Sequence, residues 1–434
     1  MLKNANTRQK PFADTILNLI FFVPLHLMRR LLPIFLMAFG WLAGWGQKDA
    51  PKLAQYSLDF TLSASDFVDS ISIERDHGQV YVPVVIGGTT YRFLFDTGAG
   101  QAVIYDDTPI PDCRPAGIIR SFDAVGRCDT VPMVVLPPLT LGNITFTGLH
   151  ATVQHRAVKR RNIDGIVGFD IIAKGLNVKI DIKSGLLILS DRKDFFNNEG
   201  GFEARYKLNY HVPYVELSPF SRFKEPTLFD TGSRRFYSIN KKSFDRGMNG
   251  ATDMMGVVIE DRARGRHAIG HSGTEPEGEV CYLTFDAMRL GGYVFSNVKT
   301  LTTQGGSHLG AALLDYGAVV FNGKRKRLFF QPYGEGNSCI VNNDRPDIAF
   351  VDEGGYASVG IIRQGSEPWK RGFRQGDIIL QIDGRPVNSF ASFISWGFLT
   401  GHEHRFTVRD LQGQPKEVKW VRVPRKQTDK EPER

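Results

Sequence analysis

The chain has 434 residues, of which 42% are hydrophobic and 23% are charged. At roughly 100–200 residues per domain, this length predicts two to four domains. The composition is that of an ordinary globular protein and excludes a largely disordered chain, a collagen-like repeat or a polytopic membrane protein. The net charge is +8, but residues 1–46 carry +4 of it, so only +4 remains for the rest of the chain. That excess is too small to indicate a nucleic-acid partner.

Two apolar stretches lie near the amino terminus, at 15–27 and 31–46, with Arg29 and Arg30 between them. Neither reaches the 18 or so residues that a spanning helix needs. The positive start, apolar middle and small-residue end of the second stretch are typical of a signal peptide that is cleaved near Gly46. We therefore expect residues 1–46 to be an export signal. A membrane anchor built from both stretches is the alternative.

The segment from about 75 to 335 contains one unit twice, each copy about 130 residues long. Each copy has an alternating apolar strand, a turn, a second apolar strand and then Asp-Thr-Gly with a small residue after it. Further along, each copy has an apolar segment that contains a glycine, Gly168 in the first copy and Gly310 in the second. Asp96 and Asp230 therefore occupy equivalent positions.

The paired Asp-Thr-Gly turns carry the predicted chemistry. Glycine lets the backbone turn sharply, and each threonine hydroxyl can bond to the backbone of the partner turn. Two facing turns bring two carboxylates together, and because like charges that close cannot both ionise easily, the pair shares a proton. One carboxylate then acts as a base on water and the other as an acid towards a peptide carbonyl, without a metal or organic cofactor. The predicted site comprises the catalytic pair Asp96 and Asp230, with Thr97, Gly98, Thr231 and Gly232 setting its geometry.

This pattern resembles the aspartic proteases, with Asp-Thr-Gly-Ala at 96–99 and Asp-Thr-Gly-Ser at 230–233. The resemblance implies a mainly β fold of two pseudo-twofold lobes, which we place at 50–195 and 196–338. It also implies a polypeptide substrate in the cleft between the lobes. Because both halves occur in one chain, we expect a monomer.

In that family a mobile hairpin, the flap, covers the cleft. The resemblance implies flap tips at Gly126 and Gly273, with plain surface turns as the alternative. Only the second motif offers a hydroxyl, that of Ser233, so we expect a pH optimum nearer neutral than that of a pepsin. His308 stands where the family prefers an apolar residue, which predicts a distorted loop beneath the second catalytic turn.

Residues 345–424 resemble a bacterial PDZ domain, on the motifs Gly365-Ser366, Gly376-Asp377 and Ile382-Asp383-Gly384. PDZ domains bind peptide termini by adding a strand to a sheet edge. Asp352 and Glu353 lie in the expected carboxylate-binding loop and would repel a terminal carboxylate, so a docking module is the alternative. We predict a solvated turn at 402–404 and a disordered tail at 425–434.

Export permits disulfides, and four cysteines allow three pairings. We expect Cys113–Cys128, at the base of the first flap, and Cys281–Cys339. Residues 47–75 are either a propeptide or the start of the fold, and the alternation around 56–62 favours a strand.

Together these features predict an exported aspartic endopeptidase of a bacterial envelope, periplasmic or secreted, with membrane association through residues 15–46 as the alternative. A catalytically silent peptide-binding adaptor with the same fold is the main rival. A processing protease with a single native substrate is a third possibility.

Overall fold

The computed structural model describes residues 53–156, 162–220, 223–250, 256–396 and 401–421. The predicted export signal and the predicted tail lie outside these residues. In the described ranges, no helix is both long enough and apolar enough to pass through a membrane.

Alternating apolar residues build the first half of the chain from short strands, as in β4, where Val80, Val82 and Val84 are buried. The elements of this half, in chain order, are β1 (Thr61–Leu62), β2 (Val68–Ser72), β3 (Glu74–Asp76), β4 (Gln79–Ile86), β5 (Thr89–Phe95), β6 (Ala102–Tyr105), β7 (Arg114–Phe122), β8 (Cys128–Val135), β9 (Leu139–Leu141), β10 (Ile144–Thr147), β11 (His150–Gln154), β12 (Gly165–Val167), α1 (Asp170–Ala173), β13 (Asn177–Asp181), β14 (Leu186–Ser190) and a 3-10 turn at Asn197–Glu199.

The second half follows the same plan with one longer helix. Its elements are β15 (Phe202–Asn209), β16 (Val212–Ser218), β17 (Glu225–Asp230), β18 (Tyr237–Asn240), α2 (Lys241–Gly250), β19 (Val257–Gly265), β20 (Ile269–Gly270), β21 (Gly273–Thr274), β22 (Gly278–Phe285), β23 (Met288–Leu290), β24 (Tyr293–Ser296), β25 (Val298–Thr303), β26 (His308–Gly310), a 3-10 turn at Ala311–Asp315, β27 (Gly317–Asn322), β28 (Arg327–Pro332) and β29 (Ser338–Ile340).

Equivalent strands pair in the same way in both halves. In the first half β12 runs parallel to β5 and antiparallel to β6. In the second half β26 runs parallel to β17 and antiparallel to β18. This repeated pairing confirms the prediction of a mainly β, two-lobed fold, and His308 does not distort it.

The lobes share one continuous sheet. Strands β2, β14 and β13 of the first half join β27, β28 and β15 of the second half, and β13 pairs with β27 from Asn177 opposite Asn322 to Ile180 opposite Val319. The other eleven first-half strands form a separate sheet. One hydrophobic core spans both halves, so they fold as a single unit.

The carboxy-terminal region forms its own six-stranded sheet and small core. Ser389 caps its second helix and accepts a hydrogen bond from Ser392 N–H. The elements are β30 (Ile348–Glu353), β31 (Tyr356–Ile362), α3 (Glu367–Lys370), β32 (Ile378–Ile382), β33 (Arg385–Pro386), α4 (Phe390–Ile394), β34 (Glu403–Arg409) and β35 (Pro415–Val421).

This C-terminal sheet packs directly on the second lobe. Ile361 of β31 belongs to a buried cluster with Val280, Tyr282 and Leu301, which come from β22 and β25. Gly360 accepts a hydrogen bond from Arg266 N–H at 3.0 Å. The two regions are therefore joined by an apolar contact and by backbone bonding.

The predicted disulfides are wrong, because all four cysteines are free. Cys128 pairs with Phe122 at the tip end of the β7–β8 hairpin, whereas Arg114, next to Cys113, pairs with Val135 at the other end. Seven residues at about 3.3 Å each separate these ends by roughly 23 Å, far beyond disulfide reach. Cys281 and Cys339 lie on strands that are not neighbours in the sheet.

Two other local predictions are corrected or answered by the described residues. The turn predicted at 402–404 is instead the start of β34, and His404 is buried with Nδ1 2.7 Å from Asp383 Oδ2. Of the strand that the alternation around 56–62 favoured, only β1 (Thr61–Leu62) forms, and β2 and β3 follow it as strands of the fold. Residues 47–52 lie outside the described ranges.

Candidate active site

Asp96 and Asp230 lie at the ends of the equivalent strands β5 and β17, and their carboxyl groups hydrogen-bond to each other. Gly98 N–H donates to Asp96 Oδ1 at 2.8 Å. Gly232 N–H and Ser233 N–H donate to Asp230 Oδ1 at 2.9 and 3.1 Å. Gly232 N–H also lies 3.2 Å from Asp96 Oδ1. The fold thus brings together the two aspartates that the sequence singled out.

Burial raises the pKa of both carboxyl groups. The negative charge of Asp230 raises the pKa of Asp96 further, whereas a hydrogen bond from Asp96 acts to lower that of Asp230. Because two carboxylates in contact cannot both ionise easily, the pair shares one proton at neutral pH. The Ser233 group that donates to this pair is its backbone N–H.

Two threonines lock the turns to each other, as predicted. Thr97 Oγ1 donates to Phe229 O at 2.7 Å and accepts from Thr231 N–H at 3.1 Å. In mirror fashion, Thr231 Oγ1 donates to Phe95 O at 2.7 Å and accepts from Thr97 N–H at 3.0 Å. Both threonines are 0% exposed, so these four bonds form away from solvent and fix the separation of the carboxyl groups.

Both motifs require glycine because a side chain would not fit at Gly98 or Gly232. A Cβ atom at Gly98 would lie 2.6 Å from Asp230 Oδ1, and one at Gly232 would collide with the carboxyl group of Asp96. Each glycine therefore lets its own loop approach the carboxyl group of the opposite loop.

Gly168 and Gly310 lie beneath the two catalytic turns. A Cβ at Gly168 would collide with Gln101 backbone, and one at Gly310 would lie 2.6 Å from Ser233 O. His308, next to this second support, is a desolvated imidazole whose pKa burial lowers to about 4, with a further lowering by Arg235. It is neutral at pH 7, which explains how it occupies a position where the family has an apolar side chain.

Asp170 supports the first turn and was not identified from the sequence. Its Oδ2 accepts from Ala102 N–H at 3.1 Å, at the start of β6. Burial raises the pKa of Asp170 to about 7. An acid directly after Phe169, within an otherwise apolar run, was the available signal.

The two predicted flap turns contact each other. Gly126 lies in the turn between β7 and β8, and Gly273 begins β21. Asp123 Oδ2 in the first turn accepts from Ser272 N–H in the second at 3.1 Å, and Arg127 Nη1 donates to Ser272 O at 3.2 Å. We call this set of contacts the tip contact. The β7–β8 hairpin of the first lobe is thereby joined to the second lobe.

A buried polar network connects the segment around the Gly273 turn to the loop that follows Asp230. Arg235 Nη1 donates to His267 Nδ1 at 2.9 Å, and His267 Nε2 donates to Thr302 O at 2.9 Å. This bonding pattern describes a neutral imidazole, and burial together with Arg235 lowers the His267 pKa. Glu275 Oε1 accepts from the N–H groups of His267 and Ala268, both at 2.9 Å. No local sequence pattern indicated this network.

The first described residues run beside the β7–β8 hairpin. Ala54 N–H donates to Ile118 O of β7 at 2.7 Å. The Tyr56 ring stacks on that of His211, with centroids 3.6 Å apart, in the turn between β15 and β16. That turn also lies against the first catalytic loop, because a Cβ at Gly100 would be 3.2 Å from Tyr210 O. Residues 53–56 thus connect the β7–β8 hairpin to the second lobe.

The sequence matches a family model described as aspartyl protease over residues 82–171, which include Asp96 and Gly168. No curated protein shows significant sequence similarity to the chain.

Three solved structures resemble part of the chain. One is an aspartic proteinase from Irpex lacteus, at 13% identity and a TM-score of 0.40, which covers 61% of this chain and 97% of that one. The others are basic 7S globulin from soybean and conglutin gamma from lupine seeds. Both are 11% identical over 61% of this chain and 94% of theirs, with TM-scores of 0.36 and 0.35. The family match and the paired lobes together indicate an aspartic-protease fold.

Proposed function

We propose that this chain is an aspartic endopeptidase that hydrolyses peptide bonds in extended polypeptides. The observation that carries the proposal is the catalytic pair itself: two buried carboxyl groups in hydrogen-bond contact, on turns locked by Thr97 and Thr231. Burying two carboxyl groups side by side is costly unless they share a proton. A protein that only bound peptides would gain nothing from this arrangement.

In the proposed reaction Asp230 is the base and Asp96 the acid. Asp230 accepts a proton from the attacking water while Asp96 donates its proton to the carbonyl oxygen, which gives a tetrahedral diol. The diol then collapses: one of its hydroxyl groups returns a proton to a carboxylate, the C–N bond breaks, and the amine nitrogen takes a proton from the pair. The N–H groups of Gly98 and Ser233 hold the carboxyl oxygens in place through both steps.

The test is cleavage of a diverse peptide library by the full chain between about pH 3 and pH 8. We expect Asp96→Asn and Asp230→Asn each to lower the rate by about 10²–10⁴-fold, the range for a positioned acid or base. Asp344→Asn, which changes an exposed aspartate outside both lobes, is the matched control. Cleavage that survives Asp96→Asn would contradict the assignment.

The rival adaptor has its own signature in the same experiment. If the protein is an adaptor, the wild-type chain and the Asp96→Asn variant should bind library peptides with equal affinity, and neither should cleave them. A protease with a single native substrate would also leave the library intact. Asp96→Asn would then trap that substrate in cells, whereas wild type would release two fragments.

We further propose that residues 345–424 are a PDZ domain used for docking. In its predicted carboxylate loop, Asp352 accepts a hydrogen bond from Gly355 N–H at 2.7 Å, and Glu353 forms an ion pair with Arg266 of the second lobe. Both acids are therefore engaged in the protein's own contacts. We expect peptides that end in a carboxylate and the same peptides ending in an amide to bind alike, as measured by calorimetry.

We also propose that the protein is exported across a bacterial membrane and acts in the cell envelope. The support is the signal-like pattern of residues 1–46. Amino-terminal sequencing of the protein from the extracytoplasmic fraction should give a start near residue 47. An intact amino terminus in the membrane fraction would indicate the anchor instead, and a protein confined to the cytoplasm would contradict export.

A further inference from the structure

The shared sheet carries a cluster of positive charge far in sequence from both aspartates. A shallow cavity of about 530 Å³ is lined by four cations: Lys193, Arg205, Arg325 and Arg327. They come from the end of β14, from β15 and from the turn that leads into β28. We call this surface the basic face.

Strand register places two of these cations directly opposite each other. Arg205 of β15 pairs with Arg327 of β28 in an antiparallel ladder. Like charges directly opposite each other destabilise a sheet. Glu203 offsets part of the repulsion through an ion pair with Arg327 at 3.0 Å, and Asp194 pairs with Arg325. Two acids against four cations leave the lining positive.

The adjoining turn adds to this charge. Lys324 and Lys326 are exposed on either side of Arg325. The four cations of the basic face, these two exposed lysines beside it and the two paired acids sum to a net charge of +4. The whole chain after residue 46 has a net charge of +4. The remaining residues of that region sum to zero net charge.

We infer that the basic face docks on an anionic phospholipid surface. The cavity is shallow and its cations lie on a broad sheet, which suits a plane of headgroups better than an enclosed small ligand. Phe195, directly after Asp194, is 37% exposed and offers an apolar contact for the interface between headgroups and acyl chains. Clustered Lys and Arg side chains are attracted to such surfaces by about 1 kcal/mol each.

The test is co-sedimentation of the full chain with two kinds of vesicle, phosphatidylcholine alone and phosphatidylcholine with about 30% phosphatidylglycerol. In chains that retain residues 1–46, any binding through the apolar stretches is common to both kinds of vesicle, so the readout is the ratio of the two partition coefficients. The test variant is Lys193→Gln/Arg205→Gln/Lys324→Gln/Lys326→Gln. It leaves the ion pairs of Asp194 with Arg325 and of Glu203 with Arg327 intact. We expect it to reduce the ratio more than tenfold, because about 1 kcal/mol for each cation is about fivefold, and four cations together allow a reduction of up to about 600-fold. Raising the salt concentration should reduce the wild-type ratio in the same way.

The control removes the same charge elsewhere, from four exposed positions: Arg114→Gln/Lys224→Gln/Lys242→Gln/Lys419→Gln. Circular dichroism and thermal unfolding establish that both variants fold as wild type does. An equal loss in the two variants would mean that net charge alone acts, which overturns the inference. So would a wild-type ratio near one, or binding to DNA or heparin without binding to anionic vesicles. The inference does not depend on proteolytic activity, and Asp96→Asn should bind the vesicles as wild type does.

Discussion

Replacing Thr231 with valine tests whether the threonine lock holds the catalytic pair. Valine keeps the shape of threonine but removes a hydroxyl that donates to Phe95 O and accepts from Thr97 N–H, at 2.7 and 3.0 Å. Thr231 is 0% exposed, so water cannot replace either partner. A buried polar group that loses its hydrogen-bond partner costs about 1–3 kcal/mol. Phe95 O and Thr97 N–H would both lose theirs, so the free energy of unfolding should decrease by about 2–6 kcal/mol.

Equilibrium urea unfolding, followed by circular dichroism, measures this change, provided that the transition is two-state. Thr231→Ser is the informative comparison, because serine keeps both hydrogen bonds and loses only a methyl group, at a cost of about 1 kcal/mol. Thr90→Val, on an exposed position of β5, controls for the substitution itself. If Thr231→Val were within about 0.5 kcal/mol of wild type, or Thr231→Ser as damaging as Thr231→Val, the reasoning would be refuted.

Three further predictions follow from the site. Gly232→Ala should reduce the cleavage rate by at least about 10²-fold, because the added methyl group displaces the Asp96 carboxyl; Gly334→Ala, in open space, should leave the rate unchanged. Asp123→Ala removes the acceptor of Ser272 N–H in the tip contact, so amide hydrogen exchange at Ser272 should quicken, whereas the exposed Asp129→Ala should not change it. Asp170 has a folded-state pKa raised to about 7 by burial. The folded chain thus binds more protons than the unfolded one between about pH 4 and 7, and stability falls as pH rises through that window. Asp170→Asn should reduce this loss between pH 4 and 8 in urea unfolding, and an unaltered pH dependence would contradict the role of burial.

Much of the site could be predicted because its determinants are local. An Asp-Thr-Gly after an apolar strand dictates both the turn and the need for glycine, and its repetition indicated two facing loops. The supporting glycines Gly168 and Gly310 could be found for the same reason, since they recur at matching places in the two copies.

The remaining features depend on pairing between distant residues. The tip contact joins Asp123 to Ser272 across 149 positions, and no local pattern announces it. The disulfide prediction failed because the register of the β7–β8 hairpin, which separates Cys113 from Cys128, cannot be read from spacing alone. His308 did not disturb the second loop because a desolvated imidazole is neutral and packs like an apolar side chain.

The apolar contact between Ile361 and the second lobe has a geometric consequence for any polypeptide that binds both the C-terminal sheet and the catalytic pair. Because the C-terminal sheet is packed on the second lobe through β22 and β25, it is not a domain tethered only by a flexible linker. A chain held on that sheet would reach the catalytic pair only after spanning a fixed distance, at about 3.3 Å for each extended residue. Cleavage would then fall at a set number of residues from the held segment. The position of the cleaved bond would depend on the length of chain between that bond and the held segment, and not only on the sequence around the bond.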